Sequence, residues 1–122
     1  AKKLSYVNAG HYPPLLMHDD GSNRRLSSGS TVLGVFEKLP EVKEESLAIM
    51  SNSMLLAFTD GLADLQNNEG GYFEEEMLIN FTEKHHKMIP TEFNKCLLDQ
   101  IDNFRGDLPY IDDIAVLTCK IF

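Results

Sequence analysis

The sequence predicts an α+β fold in which two helices pack on one face of a mostly antiparallel sheet. Short segments typical of strands occupy residues 4–59, helical periodicity follows between residues 73 and 106, and one more strand ends the chain. Strands grouped before and after a pair of helices, without regular strand–helix alternation, are characteristic of this class. The length of 122 residues suits one domain with one core.

The strand that organises the predicted sheet lies at residues 54–58. These residues, Met-Leu-Leu-Ala-Phe, are all apolar, and a run this short is typical of a strand buried on both faces. Thr59, Asp60 and Gly61 follow it directly. Asp-Gly is a common turn pair, so a plain turn is one interpretation of Asp60. A carboxylate at the end of a buried strand also needs a cationic partner, which makes Asp60 a candidate functional residue.

A second acidic group, Asp112 and Asp113, comes directly before the last predicted strand at residues 114–122. If the two strands pair in antiparallel fashion, the three carboxylates meet at one end of the sheet. Clustered carboxylates repel one another unless a cation lies between them, and Mg²⁺ and Mn²⁺ prefer oxygen ligands. The sequence therefore predicts a divalent-metal site. The last strand is apolar on both faces, so we expect both to be covered.

The other strands are expected at residues 4–9, 15–18, 24–27 and 42–50. The second and third flank a dense turn signal, Asp-Asp-Gly-Ser-Asn, and are predicted to form a hairpin. The fourth is predicted to form a hairpin with the central strand.

Two amphipathic helices are predicted between the central and the last strand, because apolar residues recur there at steps of three and four. The first stripe is Phe73, Met77 and Phe81 with Leu78 on the same side, and the second is Phe93, Leu97, Ile101 and Phe104. Thr91 is the expected N-cap of the second helix, and Gly106 its expected end.

The charge balance argues against nucleic-acid binding. The formal net charge is −8, from 19 acidic and 11 basic residues, and no basic run is present. No apolar run approaches the roughly 18 residues that a membrane span requires. Cys96 and Cys119 lie in apolar patterns, so we expect buried free thiols in a reducing, cytoplasmic compartment. A membrane tether through other domains of a parent protein stays open.

Four segments together resemble a known family. They are residues 6–16, 33–35, 56–61 and 112–116, with the sequences YVNAGHYPPLL, LGV, LAFTDG and DDIAV. In this order and spacing they are similar to the metal-dependent serine/threonine protein phosphatases of the PPM class, in the bacterial branch typified by SpoIIE and RsbU. The resemblance implies a β-sandwich of two antiparallel sheets flanked by helices. It also implies two Mn²⁺ or Mg²⁺ ions at one end, whose bridging water attacks a phosphoserine or phosphothreonine.

The resemblance also assigns roles and partners. Asp60 and Asp112 match metal-binding aspartates of the family and are the expected catalytic residues, and Asp113 takes the next position as a further metal-ligand candidate. The implied substrate is a phosphorylated STAS-type anti-sigma-factor antagonist in a partner-switching sigma-factor pathway. The implied parent protein carries an upstream sensor domain.

Two departures from the family pattern limit what this chain is expected to do. Ala115 stands where the branch usually has Thr, and the family's first metal motif, a Gly-Asp followed closely by another Asp in an early strand, is absent. We therefore expect residues 1–122 to be the C-terminal portion of a single phosphatase domain, inactive alone. The alternatives are a truncated or degenerate fold that acts as a non-catalytic binding or dimerisation module, and a generic acidic α+β domain. A homodimer is expected, because part of the sheet would lack its cover.

Overall fold

The computed structural model describes residues 2–122, which form eight strands and two α-helices. In chain order they are β1 (Lys2–Tyr6), β2 (Asn8–Ala9), β3 (Leu15–Met17), β4 (Asn23–Arg25), β5 (Gly29–Ser30), β6 (Glu45–Ile49), β7 (Ser53–Phe58), α1 (Glu75–His85), α2 (Pro90–Arg105) and β8 (Val116–Ile121).

The central sheet has four antiparallel strands in the order β4-β3-β7-β8. Leu56 of β7 lies opposite Leu15 of β3, and Phe58 lies opposite Val116 of β8. The predicted central strand and its antiparallel pairing with the last strand are therefore confirmed, as is the β3–β4 hairpin. Within residues 2–122, β8 forms one edge of this sheet.

One face of the central sheet packs on both helices to form the larger core. α1 contacts β3, and α2 contacts β8. The buried members of this core come from β3, β7, the connection after β7 and the two helices: Leu15, Met17, Met54, Leu56, Phe58, Leu62, Leu65, Phe73, Leu78, Phe93, Leu97 and Ile101. The predicted α+β arrangement, with two helices on one sheet face, is confirmed.

The buried face of α1 agrees with the predicted stripe at Leu78 and Phe81 but not at Met77. Leu78 and Thr82 are buried, whereas Met77 is 42% exposed. Thr82 is accommodated in the core because its hydroxyl donates a hydrogen bond to the Leu78 carbonyl, 2.7 Å away. A threonine carries no apolar signal in the sequence, so the predicted stripe does not include Thr82.

The predicted stripe of α2 is confirmed, since Phe93, Leu97 and Ile101 are all buried. The start of the helix differs from the prediction. Ile89 is the N-cap and Pro90 is the first helical residue, where its missing N–H costs no hydrogen bond, so Thr91 lies inside the helix. Gly106 ends the helix as predicted, with φ +62° and its N–H bonded to the Asp102 carbonyl.

The opposite face of the sheet is partly covered by an antiparallel β1–β6 ribbon, with Lys2 opposite Ile49 and Tyr6 opposite Glu45. A second core lies between the ribbon and the sheet: Leu16, Leu26 and Ile49 are buried there, with Leu4, Tyr6, Leu47, Leu55 and Ile121 packed against them. The predicted hairpin between residues 42–50 and the central strand is wrong. Both edges of β7 are occupied by β3 and β8, so β6 pairs with β1 in a separate layer.

The outer face of β8 does not have the full cover that its apolar sequence predicted. Leu117 is 64% exposed and Cys119 is exposed, while Cys96 is half-buried. The β1–β6 ribbon packs over β3 and part of β7 and reaches β8 only at Ile121. The prediction of two buried thiols is therefore wrong for Cys119. In residues 2–122, neither helix has the length and apolar character of a membrane span.

Candidate metal centre

The end of β7 and the start of β8 lie side by side and continue to pair beyond the strands themselves. After the Phe58–Val116 pair, the Thr59 N–H donates a hydrogen bond of 3.1 Å to the Ala115 carbonyl. Asp60 follows Thr59 on one strand, and Asp113 precedes Ala115 by two residues on the other. The structure therefore brings the two acidic segments to the same end of the sheet, as the sequence predicted.

The Thr59 side chain connects the two segments a second time. Its hydroxyl accepts a hydrogen bond of 3.0 Å from the Ala115 N–H and donates one of 3.2 Å to the Asp113 carbonyl. The Thr59 hydroxyl thus satisfies one backbone N–H and one backbone carbonyl of the segment that contains Asp112 and Asp113. The sequence analysis did not identify Thr59 as a site residue. The only available signal was its place between the buried strand and Asp60.

Gly61 provides the third contact between the segments. A Cβ atom at this position would lie 2.2 Å from the Asp113 carbonyl oxygen and 3.0 Å from its carbonyl carbon. Gly61 was expected to permit a sharp turn. The structure instead requires glycine there because the backbone of Asp113 approaches so closely.

Asp60 begins a tight turn that is anchored in the core. The Leu62 N–H bonds to the Thr59 carbonyl at 3.2 Å, and the Asp64 N–H bonds to the Asp60 carbonyl at 3.0 Å. Leu62 and Leu65 are buried on the helical side of the sheet. The backbone of Asp60 is consequently held between a buried strand and a buried turn, while its side chain remains exposed.

Asp60, Asp112 and Asp113 are exposed, and within residues 2–122 none of them has a cationic partner. In the part of the chain that the structure describes, the ion pairs are Arg24–Glu45, Arg25–Glu75 and Arg105–Asp102, and none involves Asp60, Asp112 or Asp113. Asp112 Oδ1 accepts a hydrogen bond from the Asp113 N–H at 2.8 Å. Exposed carboxylate oxygens without cationic partners are the donor chemistry that Mg²⁺ and Mn²⁺ require, so the residues present fit such an ion.

Asp60, Asp112 and Asp113 do not form a complete metal site by themselves. Across residues 2–122, no cluster of three or more His, Cys, Asp or Glu side chains has the geometry to hold a metal ion. Beside Asp112 and Asp113 lies a cavity of about 180 Å³, whose other walls are Leu98, Ile101, Tyr110 and Ile114. The chain therefore presents exposed carboxylate oxygens beside a cavity, without a complete set of metal ligands among residues 2–122.

Comparison with known proteins assigns the chain to a family. The sequence profile described as "Stage II sporulation protein E (SpoIIE)" matches residues 1–122. The chain belongs to the SpoIIE family. It is 40% identical over 63 residues to "Phosphoserine phosphatase RsbP" of Bacillus subtilis (strain 168), a match that covers 52% of this chain and 15% of RsbP. It is 31% identical over 119 residues to "Protein IcfG" of Synechocystis sp. (strain ATCC 27184 / PCC 6803 / Kazusa), covering 93% of this chain and 18% of IcfG.

The fold of this SpoIIE-family chain is that of a PP2C domain. The structure titled "SiaA-PP2C domain of Pseudomonas aeruginosa" superimposes with a TM-score of 0.80 at 15% identity, over 98% of this chain and 47% of that one. The resemblance to PPM-class phosphatases and the predicted α+β class are confirmed. The chain spans less than a fifth of the length of RsbP and IcfG, and about half of the SiaA domain chain.

The double role of the Thr59 hydroxyl generates a prediction. We expect Thr59→Val, which keeps the shape of the side chain, to destabilise the protein by about 1–2 kcal/mol, because the Ala115 N–H loses its acceptor. Thr59→Ser, which keeps the hydroxyl, should lie within roughly 0.5 kcal/mol of the wild type. Urea unfolding measures both. Equal stability of the Val and Ser variants would show that the hydroxyl does not hold the segment.

Proposed function

We propose that this chain is the C-terminal portion of a metal-dependent phosphoserine/phosphothreonine protein phosphatase domain. The observation that carries the proposal is the convergence of the Asp60 and Asp112 segments through Thr59 and Gly61, in a chain of the SpoIIE family. The name of RsbP, a phosphoserine phosphatase, supports the same reaction class.

In this proposal Asp60 and Asp112 are metal ligands, and Asp113 is either a further ligand or the residue that orients Asp112 through its N–H. When bound, Mn²⁺ or Mg²⁺ would supply an activated water and neutralise charge on the transferring phosphoryl group. Thr59 and Gly61 hold the two acidic segments at a fixed separation. The buried turn after Asp60 limits the movement of its backbone as ligands bind.

The proposal places the remaining ligands outside residues 1–122. It is supported by two observations: residues 2–122 contain no complete metal cluster, and the chain spans about half of a PP2C domain chain of the same fold. On this basis the isolated chain is a poor phosphatase. The whole protein would act on a phosphorylated STAS-type antagonist under the control of an upstream sensor domain, in the cytoplasm.

The catalytic assignment is tested by removing single carboxylates from the intact protein. Asp60→Asn and Asp112→Asn should each lower Mn²⁺-dependent hydrolysis of a phosphoserine peptide by more than about 100-fold, since loss of even supporting residues around a metal costs roughly 10–100-fold. Asp107→Asn is the matched control, because it removes an exposed carboxylate from the same loop. Near-normal turnover in either of the first two variants would refute the assignment.

We also propose that the isolated 122-residue chain forms a homodimer through β8. The sequence predicted a sheet face without full cover, and the β1–β6 ribbon covers only part of that face. Two apolar side chains stay exposed, Leu117 and Phe122, the latter 76% exposed. In addition, one edge of β8 has no partner strand among residues 2–122. Exposed apolar surface beside an unpaired strand edge favours pairing with a second copy.

Sedimentation equilibrium tests this association. At micromolar concentration the isolated chain should show an average mass that rises towards that of two chains. Leu117→Lys should shift it towards one chain, since a charge at the strand face opposes pairing. The mass of a single chain at every concentration would contradict the dimer.

A further inference from the structure

The segment that carries Asp112 and Asp113 has no regular secondary structure of its own. It connects Arg105, the last residue of α2, to Val116, the first residue of β8. Thr59 and Gly61 hold its C-terminal end, through Asp113 and Ala115. A loop of this length is free to move unless its other half is also held.

Three side chains hold that other half against the end of α2. The Tyr110 hydroxyl donates a hydrogen bond of 2.7 Å to Asp102 Oδ1, and Arg105 Nη2 donates one of 3.2 Å to the same oxygen. The Arg105 guanidinium lies over the Tyr110 ring, 4.3 Å from its centroid. Arg105 Nη1 also donates to the Leu108 carbonyl. We call Asp102, Arg105 and Tyr110 the α2 clamp.

The α2 clamp is attached to a rigid base. α2 is anchored in the core by Phe93, Leu97 and Ile101, the last of which directly precedes Asp102. Gly106 closes the helix, with its N–H bonded to the Asp102 carbonyl at 3.0 Å. The hydrogen bonds from Tyr110 and Arg105 also hold the pKa of Asp102 below its ordinary value, with Tyr110 as the larger cause. Asp102 therefore accepts as a carboxylate at neutral pH.

The clamp lies close to the proposed metal ligands. One residue separates Tyr110 from Asp112 in the chain, so their Cα atoms are at most about 7 Å apart. Tyr110, Asp112 and Asp113 line the same cavity of about 180 Å³. A displacement of the Tyr110 ring would therefore be passed on to the Asp112 backbone.

We propose that the α2 clamp positions Asp112 and Asp113 for metal binding, so that Asp102, Arg105 and Tyr110 are positioning residues of the metal centre. This inference rests on the proposed function. Together with Thr59 and Gly61, the clamp holds the acidic segment at both ends before any ion arrives. Ligands held in place lose less conformational freedom on binding and bind more tightly.

The exposure of Asp102 distinguishes this positioning role from a purely structural one. The Asp102 side chain is 57% exposed and that of Arg105 is 22% exposed. Exposed ion pairs and hydrogen bonds add little to global stability. The effect of breaking the clamp should consequently be local, in the mobility of residues 107–113 and in metal affinity.

The test uses the intact protein and four variants. Tyr110→Phe removes the hydroxyl but keeps the ring under Arg105, and Asp102→Asn removes the charge but keeps the shape.

Tyr72→Phe is the control for the hydroxyl, because Tyr72 is exposed and the structure of residues 2–122 gives its hydroxyl no hydrogen bond. Asp99→Asn is the control for the charge, since Asp99 is exposed one turn earlier on α2. The measurements are hydrogen exchange of amides 107–115 without metal, Mn²⁺ affinity by calorimetry, and thermal unfolding.

We expect Tyr110→Phe and Asp102→Asn to raise the Mn²⁺ Kd and the exchange rate of residues 107–113 by about three- to tenfold. This is the range expected when a hydrogen bond is lost, as in Tyr110→Phe, or loses its charged acceptor, as in Asp102→Asn. The unfolding temperature and the turnover at saturating Mn²⁺ should stay near wild type, and both controls should match wild type throughout. Wild-type Mn²⁺ affinity in both clamp variants would overturn the inference, whether or not exchange rises. A wild-type protein that binds no Mn²⁺ would refute the proposed function as well, which distinguishes the two failures.

Discussion

The pairing of β7 with β8 is the interaction on which the rest of this structure depends. It joins an apolar strand from the middle of the chain to one from the end, and it extends past both strands through Thr59 and Ala115. Apolar side chains of β7 bury against the helices, which makes the register costly to change, because a slip of one residue would turn every side chain to the other face. That register brings Asp60 beside the segment of Asp112. The position of the candidate metal centre therefore follows from the packing of the core.

Parts of the fold determined by local sequence could be predicted, and parts determined by distant partners could not. The run at residues 54–58 indicated a buried strand because five adjacent apolar residues cannot be solvated on either face. Residues 42–50 carry no local signal that identifies β1 as their partner. They pair with β1 because β3 and β8, which come from distant parts of the sequence, occupy both edges of β7. Cys119 was misplaced for the same reason, because its exposure depends on how far the β1–β6 ribbon reaches.

The same division applies to the candidate site. Asp60, Asp112 and Asp113 were identified from their type and from their position beside predicted strands. The residues that hold these aspartates in place were not identified, because their roles depend on contacts with residues distant in the sequence. Thr59 bonds to Ala115 across 56 positions of sequence, and Tyr110 reaches back to Asp102 over a helix end. Gly61 was recognised as special, but its close approach to Asp113 could be known only from the structure.

A single measurement can test whether Asp60 and Asp112 hold divalent cations. Among residues 2–122, Asp60, Asp112 and Asp113 are exposed carboxylates without cationic partners, and such oxygens are suited to share divalent cations. Anomalous diffraction from Mn²⁺-soaked crystals of the intact protein locates such ions directly. The account predicts manganese peaks within about 2.2 Å of carboxylate oxygens of Asp60 and Asp112, in the range of ligand distances for small divalent cations. Manganese bound elsewhere, with both carboxylates facing only solvent, would contradict it.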